Sequence, residues 1–116
     1  MVMARFIPAL VLLIAPFAVH ASGQPLSLEH RMLLRCAATA ALVARGQETG
    51  DPAMAAYPDM RQRGREFFIR ASVRVMDEAG AAREAVEMQL RAEALDIVST
   101  RAVHQMMPVC LPIIPQ

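Results

Sequence analysis

The segment Ser27–Gly46, SLEHRMLLRCAATAALVARG, decides the class of the fold. Ser27 is a favoured N-cap residue, Glu29 lies in the first turn, and the helix should end near Gly46. Between these ends, apolar residues recur at spacings of three or four, as on one buried helix face. They are Leu28, Met32, Cys36, Ala40 and Val43. The segment therefore predicts a helix over about residues 28–45.

A second helix is predicted over about residues 58–79. Proline is tolerated at the first helical position and glycine is favoured just past a helix end, and Pro58 and Gly80 stand at these places. The expected buried stripe consists of Met60, Gly64, Phe67, Phe68, Ala71 and Val75. The preceding stretch, residues 47–57, is rich in turn-forming residues and predicts a loop with one helical turn at 53–56.

A third helix is predicted over about residues 82–107, ending at Pro108. Its apolar residues form two partial faces, so the helix is either sandwiched between neighbours or bent near Ser99 and Thr100, and the sequence leaves both open. One face holds Val86, Leu90 and Ile97, and the other holds Met88, Leu95, Val98, Ala102 and Met106. Alternation typical of strands is absent. The prediction is an all-α, small three-helix bundle forming one domain over residues 22–116.

The N-terminal residues 1–21 have the pattern of a signal peptide. Arg5 precedes an apolar run over residues 6–19, and Val19 and Ala21 stand at the −3 and −1 positions of a cleavage site. The run is shorter than the roughly 20 apolar residues that a membrane span needs. An uncleaved N-terminal anchor is the alternative. Export predicts a periplasmic or secreted protein with no membrane contact after cleavage.

Two cysteines, Cys36 and Cys110, are the only ones in the chain. Exported proteins mature in an oxidising compartment, where two lone cysteines commonly form a disulfide. Such a bridge would tie the first helix to the C-terminal tail and help a domain too small for a large core. Free thiols or an intermolecular link are the alternatives.

The composition argues against several classes of function. The 12 basic and 11 acidic residues nearly balance, whereas nucleic-acid binding depends on excess positive charge. The sequence contains no glycine-rich phosphate loop, no HExxH and no zinc-type cysteine spacing. Its acidic pairs lie among arginines on polar helix faces, and no nucleophile with a base can be named. We therefore predict that the protein is not an enzyme and needs no cofactor.

One short segment carries possible metal ligands. His104, Met106 and Met107 lie close to Cys110, and imidazole with soft sulfur donors suits Cu(I). The competing interpretation makes the methionines core residues and Cys110 half of the disulfide, which removes its thiolate.

Several short strings carry a family resemblance: Arg35-Cys36-Ala37-Ala38, Tyr57-Pro58, the stretch from Arg63 to Ser72, and Cys110-Leu111-Pro112. Together they resemble small exported two-cysteine helical proteins of alphaproteobacteria, chiefly of the sphingomonad group. The resemblance implies a periplasmic location in a Gram-negative cell and brings no established activity. In size, helix content and single bridge, the chain is also similar to acid-stress periplasmic chaperones.

These observations predict a non-enzymatic periplasmic protein that acts as a protein-interaction or structural module. Its partner would be another protein or a second copy of the chain, not nucleic acid. Candidate contact residues are Arg63, Arg65 and Arg70 on the second helix and Ile113 and Ile114 in the tail. The alternatives are a stress chaperone that holds unfolded clients on a methionine-rich surface, and a copper-binding protein.

Overall fold

The structure is a computed structural model that describes residues 25–116, so the predicted signal peptide lies outside the described residues. Within this part, the chain forms helices and no strands, which confirms the all-α prediction. The helices are α1 (Leu28–Glu48), α2 (Arg63–Ala79), α3 (Arg83–Ser99) and α4 (Val103–Cys110), with 3₁₀ turns at Pro52–Met54 and Leu111–Ile113. No helix over residues 25–116 is long and apolar enough to cross a membrane.

The central element of the fold is α1. Its first turn is capped by the Ser27 side chain, which accepts a hydrogen bond from the backbone N–H of His30 at 3.1 Å. Contacts with α2, α3 and α4 surround the middle of the helix. The small side chains of Ala37, Ala38 and Ala40 are at most 2% exposed there, and they let the neighbouring helices approach closely.

The prediction of three helices is wrong, because the predicted third helix is two helices, α3 and α4. The chain breaks at Arg101, which adopts the left-handed conformation with φ of 54°. The Ala102 N–H donates to the Ile97 carbonyl at 2.9 Å, and the Arg101 N–H donates to the Val98 carbonyl at 3.2 Å. These two bonds form a Schellman motif, the usual end of a helix, with arginine where glycine is normally found. The bend that the sequence left open is therefore a complete break, just beyond Thr100.

Two helix boundaries also differ from the predictions. α2 begins at Arg63, five residues after Pro58, because the side chain of Gln47 holds Pro58 and Met60 in an irregular, non-helical segment. Its amide oxygen accepts from the Met60 N–H at 2.8 Å, and its NH2 group donates to the Pro58 carbonyl at 3.0 Å. Pro108 was predicted to end a helix, yet it lies inside α4. It stands in the last turn, where a missing N–H costs one hydrogen bond and the helix ends two residues later.

The buried stripe predicted for α2 is confirmed, apart from Phe68, which is half-buried. At Gly64 the helix comes very close to α1, since an added Cβ would lie 3.1 Å from the carbonyl oxygen of Ala40. Glycine therefore permits the tight α1–α2 contact. The largest fully buried side chains of the core are Leu34, Met60, Ile97, Met107 and Ile114.

The predicted disulfide is present between Cys36 and Cys110, whose Cα atoms are 5.3 Å apart. Both residues are buried. Cys110 is the last residue of α4, so the bridge joins two helices, and the tail begins immediately after it. The tail is anchored by Ile114, which is 2% exposed.

The left-handed arginine leads to a stability prediction. We expect Arg101→Gly to raise the free energy of unfolding by about 0.5–1 kcal/mol. A left-handed conformation costs arginine about 1–2 kcal/mol and glycine almost nothing. Part of this gain is offset because glycine has the larger conformational entropy in the unfolded state. Urea denaturation followed by circular dichroism measures this difference. Ala92→Gly, at an exposed position inside α3 and outside both grooves, is the control and should instead destabilise the protein by about 1 kcal/mol. Equal effects of the two substitutions would contradict the explanation.

Candidate functional site

A groove lies beside the disulfide, between α1, α2 and the C-terminal residues; we name it the tail groove. Its volume is about 500 Å³, within the range of ligand pockets in proteins. Apolar groups from all of these elements line it, and one of them is Cys36 of the disulfide. The apolar lining consists of Met32, Leu33, Cys36, Phe67, Ala71, Val109, Ile113 and Pro115.

Charged side chains stand on one side of the tail groove. Arg74 bonds Glu29 at 3.1 Å and Glu78 at 2.8 Å. The pKa of Glu78 is lowered by hydrogen bonds from Arg74 and, second, from His30. Arg70 also lines the groove, and it forms no ion pair or hydrogen bond with any residue of the described part. The charged residues that line the tail groove, Glu29, Arg70 and Arg74, therefore sum to one positive charge.

A second groove, here named the hairpin groove, runs between α2 and α3. Its volume is about 300 Å³. Ile69 and Val73 of α2 are 62% and 45% exposed along it, a high exposure for side chains of this size. Phe68, Met76, Val86 and Leu90 complete the apolar lining. The rim on α3 alternates in charge through Arg83, Glu87 and Arg91, with Arg83 and Glu87 3.7 Å apart.

The two apolar faces of α3 have different surroundings. Val86, Leu90 and Ile97 are buried against the rest of the domain. Met88, Leu95 and Val98 are between 58% and 71% exposed, so residues 25–116 leave this second face uncovered. One explanation that the sequence left open was a helix covered by neighbours on both apolar faces. Within residues 25–116, neighbours cover only the face that holds Val86, Leu90 and Ile97.

The structure separates the candidate arginines of α2. Arg63 donates from Nη1 to the Gln116 side chain at 2.9 Å, and Arg65 pairs with Glu48. Of these three arginines, only Arg70 lines the tail groove, which Ile113 of the tail also lines. Ile114 is a core residue and is unavailable to a partner.

The candidate metal ligands have separate environments. His104 is exposed, its Nδ1 hydrogen bonds to the Tyr57 hydroxyl, and the two rings stack with centroids 5.6 Å apart. The sulfur of Met106 accepts from Nε of Arg35 at 3.3 Å, and Met107 is fully buried. Cys110 is oxidised. Over residues 25–116, no group of three or more His, Cys, Asp or Glu is placed to hold a metal ion.

Sequence reasoning missed an ionic cluster between α1 and α3. Nη1 of Arg35 donates to Glu93 at 2.6 Å and to Asp96 at 2.8 Å, and Gln89 donates to the second Glu93 oxygen at 2.9 Å. Glu93 is 8% exposed. A signal was present, because Glu93 falls between Leu90 and Ile97 on the buried stripe of α3, where a carboxylate requires a partner. The partner could not be named, since Arg35 lies far away in the chain.

The chain matches no protein-family model, no curated protein and no solved structure. What the protein does must therefore be inferred from the geometry of its own two grooves.

Proposed function

We propose that this protein is a non-enzymatic periplasmic interaction module that pairs with a second copy of itself through the hairpin groove. The observation that carries the proposal is the uncovered apolar surface of α2 and α3. Ile69 and Val73 line the hairpin groove and are 62% and 45% exposed, and Leu95 and Val98 of α3 are 71% and 58% exposed. Exposed apolar surface of this kind is typical of interaction sites. The disulfide and the predicted signal peptide support the periplasmic location.

The pattern of charge favours a second copy as the partner. The rim residues Arg83, Glu87 and Arg91 alternate in sign at intervals of four. If two α3 helices lie antiparallel about a two-fold axis at the level of Gln89, Glu87 of each copy faces Arg91 of the other. A two-fold interface uses the same patch on both subunits, so this contact forms twice. The near balance of 12 basic and 11 acidic residues also leaves little repulsion between copies.

A stress chaperone would also use exposed apolar surface, but it would bind clients of many charge patterns. The hairpin groove has a defined alternating rim that complements itself. We therefore favour self-association over client holding.

The first test is the oligomeric state of the oxidised protein by sedimentation equilibrium. We expect a dimer, and we expect Val73→Asp to weaken dimerisation at least 100-fold, because it places a charge in the apolar centre of the interface. Leu28→Asp is the matched control: Leu28 is 75% exposed in the first turn of α1, no residue of α1 lines the hairpin groove, and the substitution should leave the dimer intact.

A charge exchange tests the orientation of the two copies. Glu87→Arg and Arg91→Glu should each weaken the dimer, because each places like charges opposite one another. The double variant Glu87→Arg/Arg91→Glu should restore association, since it exchanges the two charges of the pair. A wild-type protein that is monomeric at all concentrations, or a dimer unaffected by Val73→Asp, would refute the proposed function.

A further inference from the structure

We propose that the tail groove is a binding site for a single-chain anionic amphiphile, a long-chain carboxylate of the fatty-acid class. The carboxylate would lie on Arg70, and the alkyl chain would follow the apolar lining toward Val109 and Ile113. This site is separate from the hairpin groove and does not depend on dimerisation.

The apolar lining specifies the chain of the ligand. Met32, Leu33 and Phe67 provide an apolar floor, while Val109 and Ile113 form walls that are 53% and 48% exposed in the empty groove. An alkyl chain would cover these walls and bury their surface together with its own. A volume of about 500 Å³ accommodates one such chain and leaves little room for a folded polypeptide.

The charges specify the head group. Glu29, Arg70 and Arg74 are the charged residues that line the groove, and they sum to one positive charge. Arg74 is bonded to Glu29 and to Glu78. Arg70 is left as the free cation of the groove within the described chain. A guanidinium presents parallel N–H donors that match a carboxylate, and a cationic head group would be repelled.

The two grooves share no lining residue, although they adjoin on α2. Arg70 and Arg74 line the tail groove and Ile69 and Val73 line the hairpin groove, and these four side chains also line a shallow depression between the two grooves. The proposals are therefore kept apart by substitutions outside this depression. Val109→Trp alters only the tail groove, and Glu87→Arg and Arg91→Glu alter only the hairpin groove.

The experiment is isothermal titration calorimetry of the oxidised protein with sodium dodecanoate below its critical micelle concentration. We expect saturable binding of one dodecanoate per chain. Decanoate should bind about fifteenfold more weakly, because each buried CH₂ is worth roughly fourfold in affinity. Dodecyltrimethylammonium, with the same chain and the opposite charge, should show no saturable binding.

Two variants locate the site. Arg70→Gln should weaken dodecanoate binding about tenfold or more by removing the charged donor, and Val109→Trp should abolish it by filling the groove from an exposed position. Arg45→Gln is the control, because Arg45 is an exposed arginine near the far end of α1. Circular dichroism verifies that each variant is folded.

Several results would overturn the proposal. These are the absence of saturable dodecanoate binding, equal binding of dodecyltrimethylammonium, and unchanged binding in both Arg70→Gln and Val109→Trp. Flotation with phosphatidylglycerol vesicles distinguishes a membrane surface from a free ligand. Capture by vesicles without binding of dodecanoate would also overturn the assignment.

Discussion

Replacement of both bridged cysteines, in Cys36→Ala/Cys110→Ala, should lower the free energy of unfolding by about 4 kcal/mol. The bridge closes a loop with a sequence separation of 74, and in the chain-entropy model a loop of this size stabilises the fold by roughly 4–4.5 kcal/mol. Small domains have total stabilities of about 5–15 kcal/mol, so the variant should be close to unfolding at 37 °C. Urea denaturation monitored by circular dichroism at 222 nm measures the loss.

The reduced wild-type protein is the control for this experiment. If the covalent constraint is what stabilises the fold, the reductant should lower the unfolding midpoint of the wild type and leave that of the double variant unchanged. A loss below about 1 kcal/mol in the double variant would contradict the prediction. It would mean that the buried contacts of α1 with α4 hold the domain without the bridge.

The sequence was sufficient to predict the helical class, the disulfide and most of the buried stripe of α2. These features follow from local spacing and from a cysteine pair with no other partner. The break between α3 and α4 was not predictable in the same way, because its left-handed residue is Arg101 and a helix end of this type is normally marked by glycine. The sequence contained one indication of the break. The apolar residues of the predicted third helix formed two partial faces, which a single straight helix with one buried face does not explain.

For the candidate site as well, single residues could be selected from the sequence, but their arrangement in space could not. Arg70 and Ile113 were each selected from the sequence, but nothing in the sequence indicated that they line one groove. Ile114, next to Ile113, looks equivalent in the sequence and is a core residue in the structure. Their difference is set by the 3₁₀ turn at Leu111–Ile113, which directs one isoleucine outward and the other into the core.

The ionic cluster should produce the second large effect on stability. We expect Arg35→Met to lower the free energy of unfolding by about 2–3 kcal/mol, because it leaves the carboxylate of Glu93 with little water and no cation. The Glu93 side chain is 10% exposed and that of Arg35 is 21% exposed, so water compensates only part of the loss. The pKa of Arg35 is raised by its hydrogen bonds to Glu93 and then Asp96, so the guanidinium is charged at neutral pH.

A double-mutant cycle isolates the contribution of this pair. Removing both charges in Arg35→Met/Glu93→Leu should recover most of the loss, because a buried ion pair replaced by apolar groups of similar size is close to neutral. Arg31→Met, at an exposed position one turn earlier on α1, is the matched control and should change stability by less than about 0.5 kcal/mol. If the double variant is as unstable as the sum of the single variants, the two side chains do not interact. The 2.6 Å contact would then contribute no coupling energy, and the position of α3 against α1 would depend on its buried apolar residues and on the Arg35–Asp96 bond.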